Sequence, residues 1–296
     1  MHPLIHPVVS VIGGPLQYPF MVNAYRAGTV VAIMAGALGW FMVVRRQTFA
    51  GHTLSLVGFP GAAGASLLGL PVALGYFAFC IGGAGVIAAL PFWRGGGGYS
   101  DESAAIGSLQ AFLLASGFLF VSLYAGNLNG LNSLLFGSFL GITSHQVLVL
   151  VLVAVPALVI LAVIARPLLF ASVDPVVAAA TGVPVRALSI AVLVLLGAAV
   201  GEASQITGSL LVFALLVVPA ATAQVLSSRP ALSAGLSVGI AVAVTWVGLT
   251  LAYYSAYPTG VFITTASFAV YVLARIVTGV ARHRATVIAP VRGSHP

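Results

Sequence analysis

The chain has 296 residues and a formal net charge of +7, with 60% of its residues hydrophobic and only 5% charged. Four acids and eleven bases, every base an Arg, cannot cover a water-soluble globule, in which about a quarter of the residues would be charged. Lipid must be the solvent for most of the surface, and long runs of Ala, Val, Leu and Gly without strict alternation favour spanning helices over a barrel. The Arg residues stand singly between apolar runs and form no stripe with aromatics, which argues against a nucleic-acid partner. Cys80, the single cysteine, excludes an intrachain disulfide and a multi-cysteine metal site, and reads as a small buried hydrophobe.

In chain order, residues 1–19 carry His2, His6 and four prolines but no basic n-region, so they read as an extracytoplasmic or interfacial lead-in. With about 20 apolar residues needed per crossing, spans are expected near 27–44, 53–70, 72–91, 104–124, 145–165, 187–203, 208–226, 231–251 and 260–279. Segment 127–143, which opens Asn127-Leu128-Asn129-Gly130, is too polar and short for an easy span and reads as a surface or re-entrant helix. A basic tail, 281–296, closes the chain. The fold class is therefore all-α: a polytopic membrane helix bundle of about nine spans, with eight to ten allowed by the boundaries.

The arginines orient this map. With the N-terminus outside, the inner connections and the tail hold Arg45, Arg46, Arg94, Arg166, Arg186, Arg229, Arg275, Arg282, Arg284 and Arg292, and only Arg26 falls outside. Ten against one is a strong positive-inside bias and gives an N-out, C-in topology in the cell membrane. Within the loop 92–103, Gly95 to Gly98 make a flexible hinge; a phosphate-cradling loop lacks its Gly-Lys-Ser/Thr ending. Ser100, Asp101 and Glu102 follow at the N-terminus of the fourth span, where negative charge suits the helix dipole. Between Arg166 and Arg186 lies Ser172-Val173-Asp174-Pro175-Val176-Val177, a short helix with Ser172 or Asp174 available as cap and Pro175 in its first turn.

Several blocks resemble the membrane permeases of metal-type ABC importers, the family that moves zinc, manganese or iron. They are Val43-Val44-Arg45-Arg46-Gln47-Thr48-Phe49-Ala50-Gly51, Thr53-Leu54-Ser55, Pro60-Gly61, Glu102-Ser103-Ala104-Ala105-Ile106-Gly107 and Leu134-Leu135-Phe136-Gly137, in that order. Gly182-Val183-Pro184-Val185, Gly208-Ser209-Leu210-Leu211, Leu215 to Val218 with Pro219-Ala220-Ala221-Thr222-Ala223, and Pro258-Thr259-Gly260 complete the series. The resemblance makes 20–280 a transmembrane permease domain and implies a dimer with a second copy or a paralogue. It also implies a cytoplasmic ATP-binding subunit and an extracytoplasmic solute-binding protein. On that reading the loop 166–186, with Ser172, Asp174, Pro175, Gly182 and Pro184, couples to the ATPase. This chain binds no cofactor; ATP belongs to the partner, and a metal ion is the implied cargo.

One departure bears on that cargo. The family's second span opens with an Asp and, four residues later, a His that can contact the ion; the matching positions here are His52 and Leu56. His52 can still ligate a transition metal through neutral imidazole, as a pathway residue. Its alternative is an interfacial His bonded to backbone or water. Glu202, beside Gln205 and Thr207 near the end of the sixth span, either attracts cations at the outer mouth or sits in the headgroup zone and solvates itself. His145 is expected to cap or anchor the fifth span, and His283 and His295 to be solvated in the tail.

Three classes of function compete. An ABC permease accounts for the ordered blocks. A stand-alone secondary carrier or channel is the alternative, opposed by the scarcity of intramembrane charge. A membrane enzyme lacks any His-Glu-x-x-His, Gly-x-Ser-x-Gly or clustered carboxylates.

Overall fold

The computed structural model describes residues 14–93, 99–124, 141–255 and 257–288, with side chains throughout except at 91–93, 99–102, 206, 207, 209, 210 and 281–288. A 3-10 turn at Pro15–Gln17 leads into ten α-helices among the described residues: α1 (Pro19–Val44), α2 (Thr48–Leu67), α3 (Val72–Trp93), α4 (Tyr99–Leu123), α5 (Ser144–Val173), α6 (Pro175–Ala180), α7 (Val185–Thr207), α8 (Ser209–Leu226), α9 (Pro230–Tyr253) and α10 (Thr259–Ile288). A helix stands at each of the nine positions expected to span. Seven of these are long and apolar enough to cross a membrane by length and composition, which makes this a multi-pass membrane protein. The other two are α2 and α8, whose apolar part is Leu211–Leu226.

Helix α1 runs through the middle, packed by α5, α7, α8 and α9, and its apolar residues from Met21 to Met42 form the centre of the core. Lipid supplies no hydrophobic drive between helices, so these contacts depend on small residues and interhelical hydrogen bonds. Gly61 of α2 faces Gly75 of α3 so closely that a Cβ on either would strike the other's carbonyl oxygen. Gly39 of α1 lies against the Leu216 backbone in α8, and a Cβ on Gly36 would come within 2.8 Å of the Val238 Cα in α9. Polar bonds pin α1 to α9 along its length: Trp40 Nε1 donates to Ser233 Oγ at 2.9 Å, Ser237 Oγ to the Gly36 carbonyl at 2.7 Å, and the Tyr25 and Thr250 hydroxyls meet at 2.7 Å.

These pairings fix the helix directions. Asn23, near the start of α1, bonds the Ile142 carbonyl and Ser144 at the start of α5, so those two ends lie together. Arg45, just past the end of α1, meets Ser172 at the end of α5 and Ser189 at the start of α7. Among the described arginines outside α10, Arg45, Arg46, Arg166, Arg186 and Arg229 therefore lie in the half of the bundle that ends at the α1–α2 turn, and Arg26 in the other.

Some expected boundaries move. Helix α5 continues through Arg166 and Pro167 to Val173, so the loop placed at 166–186 opens with two more turns of α5. A proline inside a membrane helix is tolerated where neighbours re-satisfy the freed carbonyl, and α2 likewise carries Pro60. Helix α10 passes the expected start of the tail at 281 and reaches Ile288. The cap of α5 is Thr143, in a capping box with Gln146, and not the exposed His145. The hinge Gly95–Gly98, most of 127–143, most of the lead-in and the end of the tail with His295 lie outside the described residues, as do the side chains of Asp101, Glu102 and His283.

Candidate functional site

Two regions carry polar chemistry that lipid packing alone does not require. The first surrounds the short helix α6. Asp174, not Ser172, is its cap: Oδ1 accepts from the backbone N–H of Val176 at 3.1 Å and of Val177 at 3.0 Å, with Pro175 at the first position. Such a cap satisfies donors that six residues of helix cannot. The far end closes on Gly182, whose φ of 87° is a conformation that favours glycine. There the N–H of Gly182 bonds the Ala179 carbonyl and that of Val183 the Ala178 carbonyl. Pro184 then caps α7. Ala178 anchors α6 inward at 0% exposure, while Val173 and Val176 stand 76% and 77% exposed and Val177 is also exposed. The α5–α6–α7 corner thus presents a small apolar knob away from the bundle.

Behind this knob sits Arg45. Its Nη1 donates to Ser172 Oγ at 3.2 Å, its Nη2 to Ser189 Oγ at 2.6 Å and its Nε to Gln47 Oε1 at 3.3 Å. Each serine hydroxyl hands its own proton to a carbonyl one turn back: Ser172 to Leu168 at 2.6 Å, Ser189 to Val185 at 3.0 Å. That leaves lone pairs for a guanidinium, which can only donate. Partial burial lowers the Arg45 pKa from its ordinary value, yet an Arg starts so high that it stays charged. The neighbouring Arg46 takes a φ of 57°, the left-handed geometry that turns α1 sharply into α2. Sequence reasoning reached this arginine only as part of a basic turn; its partners lie 127 and 144 positions away.

The second region is a set of buried polar atoms inside the spans. His52 lies in the second turn of α2, its ring edge-on to Phe213 of α8 with centroids 4.7 Å apart. His52 Nδ1 is buried without a hydrogen-bond partner, so the expected bond to backbone is not made from that atom. Glu202, near the end of α7, is 0% exposed and neither carboxylate oxygen has a partner. It does not solvate itself in a headgroup layer. Ser204 Oγ, Gln224 Nε2 and Ser267 Oγ are also buried and unpaired, and the sequence reading missed all three.

No hydrogen bond joins His52 to Glu202. Ser204, two residues past Glu202, lies beside Gly58 of α2, so Glu202 is level with a point about four residues, roughly 6 Å, beyond His52. Among the described residues no group of three His, Cys, Asp or Glu is placed to hold a metal ion.

The model of the ABC 3 transport family matches residues 17–278. The chain is 30% identical over 222 residues to the manganese transport system membrane protein MntC of Listeria innocua, covering 73% of this chain and 75% of that protein. It is 31% identical over 257 residues to the chelated iron transport system membrane protein YfeC of Yersinia pestis, covering 85% and 84%. Among solved structures, PsaBC from Streptococcus pneumoniae in complex with Fab superposes with a TM-score of 0.80 at 26% identity, over 90% of this chain and 95% of that one. A metal-chelate type ABC transporter in an inward-facing conformation shares the fold, with a TM-score of 0.65 at 19% identity over 87% and 86%.

Proposed function

Because the chain belongs to the ABC 3 transport family, we propose that it is the permease of an importer for a divalent transition-metal ion or its complex, driven by ATP hydrolysis on a separate subunit. The observation that carries this reading is the family match across nearly all of the described bundle, on a chain whose α6 offers an exposed apolar knob where a motor subunit would dock. On this reading nine helices span and the arginine-rich end is cytoplasmic, by the positive-inside rule. A second copy or a paralogue completes the translocation path, and an extracytoplasmic solute-binding protein delivers the cargo.

Manganese, iron and zinc are the candidate cargoes; the names of the relatives favour the first two. Within the path, His52 is a neutral imidazole ligand on α2, and Glu202 is a carboxylate whose buried, unpaired oxygens call for a positive partner. Separated stations of low denticity suit a conduit, which must release an ion as readily as it accepts one. Asp174, Pro175, Gly182 and Pro184 shape α6 so that ATPase closure is felt by α5 and α7.

Deleting the gene and measuring cell metal by mass spectrometry tests the proposal. Accumulation of one divalent metal falls and returns on complementation, except where the partner ATPase is inactivated. Unchanged accumulation of manganese, iron and zinc in the deletion strain would count against it.

A further inference from the structure

The function proposed above gives α6 a docking role but leaves open how its movement reaches the path. Three oxygens converge on the Arg45 guanidinium: one from the end of α5, one from the second turn of α7 and one from the α1–α2 turn. The two serines bracket α6 in sequence, at 172 and 189. Helix α6 therefore hangs between two points held by one side chain, and that side chain is rooted seven residues before His52. The contact uses all three guanidinium nitrogens, and both hydroxyls have already given their protons to their own helices. A planar fork of donors fits such acceptors; a lysine ammonium on its flexible stem does not span them. The neighbouring turn is tight and left-handed at Arg46, so α2 cannot follow α1 loosely.

We propose that Arg45 is a positioning residue that clamps both flanks of α6 to the start of α2, so that displacement of α6 is transmitted to the helix bearing His52. The clamp contacts neither cargo nor nucleotide. It works by making α6, the end of α5, the start of α7 and the α1–α2 turn move as one body. The inference rests on the reading of α6 as the ATPase contact, and the test separates the two.

The experiment uses the complete complex of permease, ATPase and binding protein in lipid nanodiscs, with Arg45→Ala, Arg45→Lys and the paired Ser172→Ala/Ser189→Ala. Two quantities are read: amide hydrogen exchange across 176–183, and the stimulation of ATP hydrolysis by the binding protein loaded with Mn2+, Fe2+ or Zn2+, whichever stimulates the unaltered complex. Arg45→Ala is expected to speed exchange in 176–183 tenfold or more while α8 and α9 keep their protection, and to cut stimulation at least fivefold. The paired serine variant, which removes only two hydroxyls and so spares the fold, reproduces both effects, and adding Arg45→Ala to it changes little more. Arg45→Lys lies between. Exchange and stimulation unchanged in the serine pair, or effects of Arg45→Ala that add fully to it, would overturn the clamp. Val176→Cys distinguishes the underlying reading, because the native Cys80 is buried and does not compete for reagent. Failure of Val176→Cys to cross-link to the ATPase would remove the docking premise. A cross-link with silent clamp variants would remove the clamp alone.

Discussion

Arg45 Nη2 lies 2.6 Å from Ser189 Oγ, joining the end of the first helix to the start of the seventh across 144 positions of sequence. Through the same side chain the end of α5 is held by Ser172. A chain built largely of apolar spans thus keeps a compact polar junction at the end where most of its described arginines lie.

Asp174→Ala removes the acceptor for two N–H groups of α6. The expected cost is about 1 kcal/mol of local stability, seen as roughly fivefold faster amide exchange in 176–180 with no change in the spanning helices. Asp174→Asn, which can still cap, retains most of the protection. Equal exchange in all three proteins would show that the cap does not hold α6.

Glu202→Leu exchanges a buried, unpaired carboxylate for a hydrocarbon of similar bulk. Stability of the purified protein should rise by about 1–3 kcal/mol, the cost of an unsatisfied buried polar group, while metal uptake falls tenfold or more. A thermal melt and an uptake assay read the two arms separately. A loss of stability would mean that the carboxylate is satisfied by an interaction the described structure does not contain. Higher stability with full uptake would remove Glu202 from the path.

His52→Ala deletes an imidazole whose Nδ1 has no hydrogen-bond partner and whose ring rests on Phe213. As a pathway ligand its loss reduces uptake several-fold, and His52→Asp, which restores a carboxylate at that position, recovers transport better than His52→Ala does. Uptake unchanged in His52→Ala would leave the residue a packing role only.

Gly61→Val places a side chain where the Gly75 carbonyl and Phe79 already stand, and Gly239→Ala meets nothing within 4 Å. The first should cost about 1–3 kcal/mol by overpacking and lower both yield and melting temperature in detergent. The second should leave them unchanged. Similar melting temperatures for the two would contradict the close α2–α3 contact.

Most of the helical plan was legible because composition and arginine placement report on the same constraint. Apolar runs must be long enough to cross, and Arg must stand where they end. The reading slipped where a local signal was overruled by tertiary contact. Arg166 and Pro167 resemble a helix end, yet α5 runs on to Val173 because its last turns lie against α6 and the Arg45 junction. His145 was expected to cap or anchor α5; the cap is Thr143, whose hydroxyl accepts from the backbone N–H of Gln146. The capped helix at Asp174-Pro175 was visible because capping is a short-range code. Arg45 as a clamp was not, since hydroxyls 127 and 144 positions away carry no mark in one sequence. Glu202 was conspicuous as a charge, but whether it faced water or the interior depends on which residues of the bundle surround α7.

Purified permease reconstituted into liposomes with its ATPase, with the metal-loaded binding protein on the side opposite the arginine-rich end, is the decisive test of ATP-driven metal import. Accumulation of manganese, iron or zinc is followed with and without ATP. Uptake of one divalent metal is expected only when ATP, the ATPase and the binding protein are all present, and none from the permease alone. Movement of the same metal by the permease alone, at a rate that ATP and the partners do not alter, would contradict it.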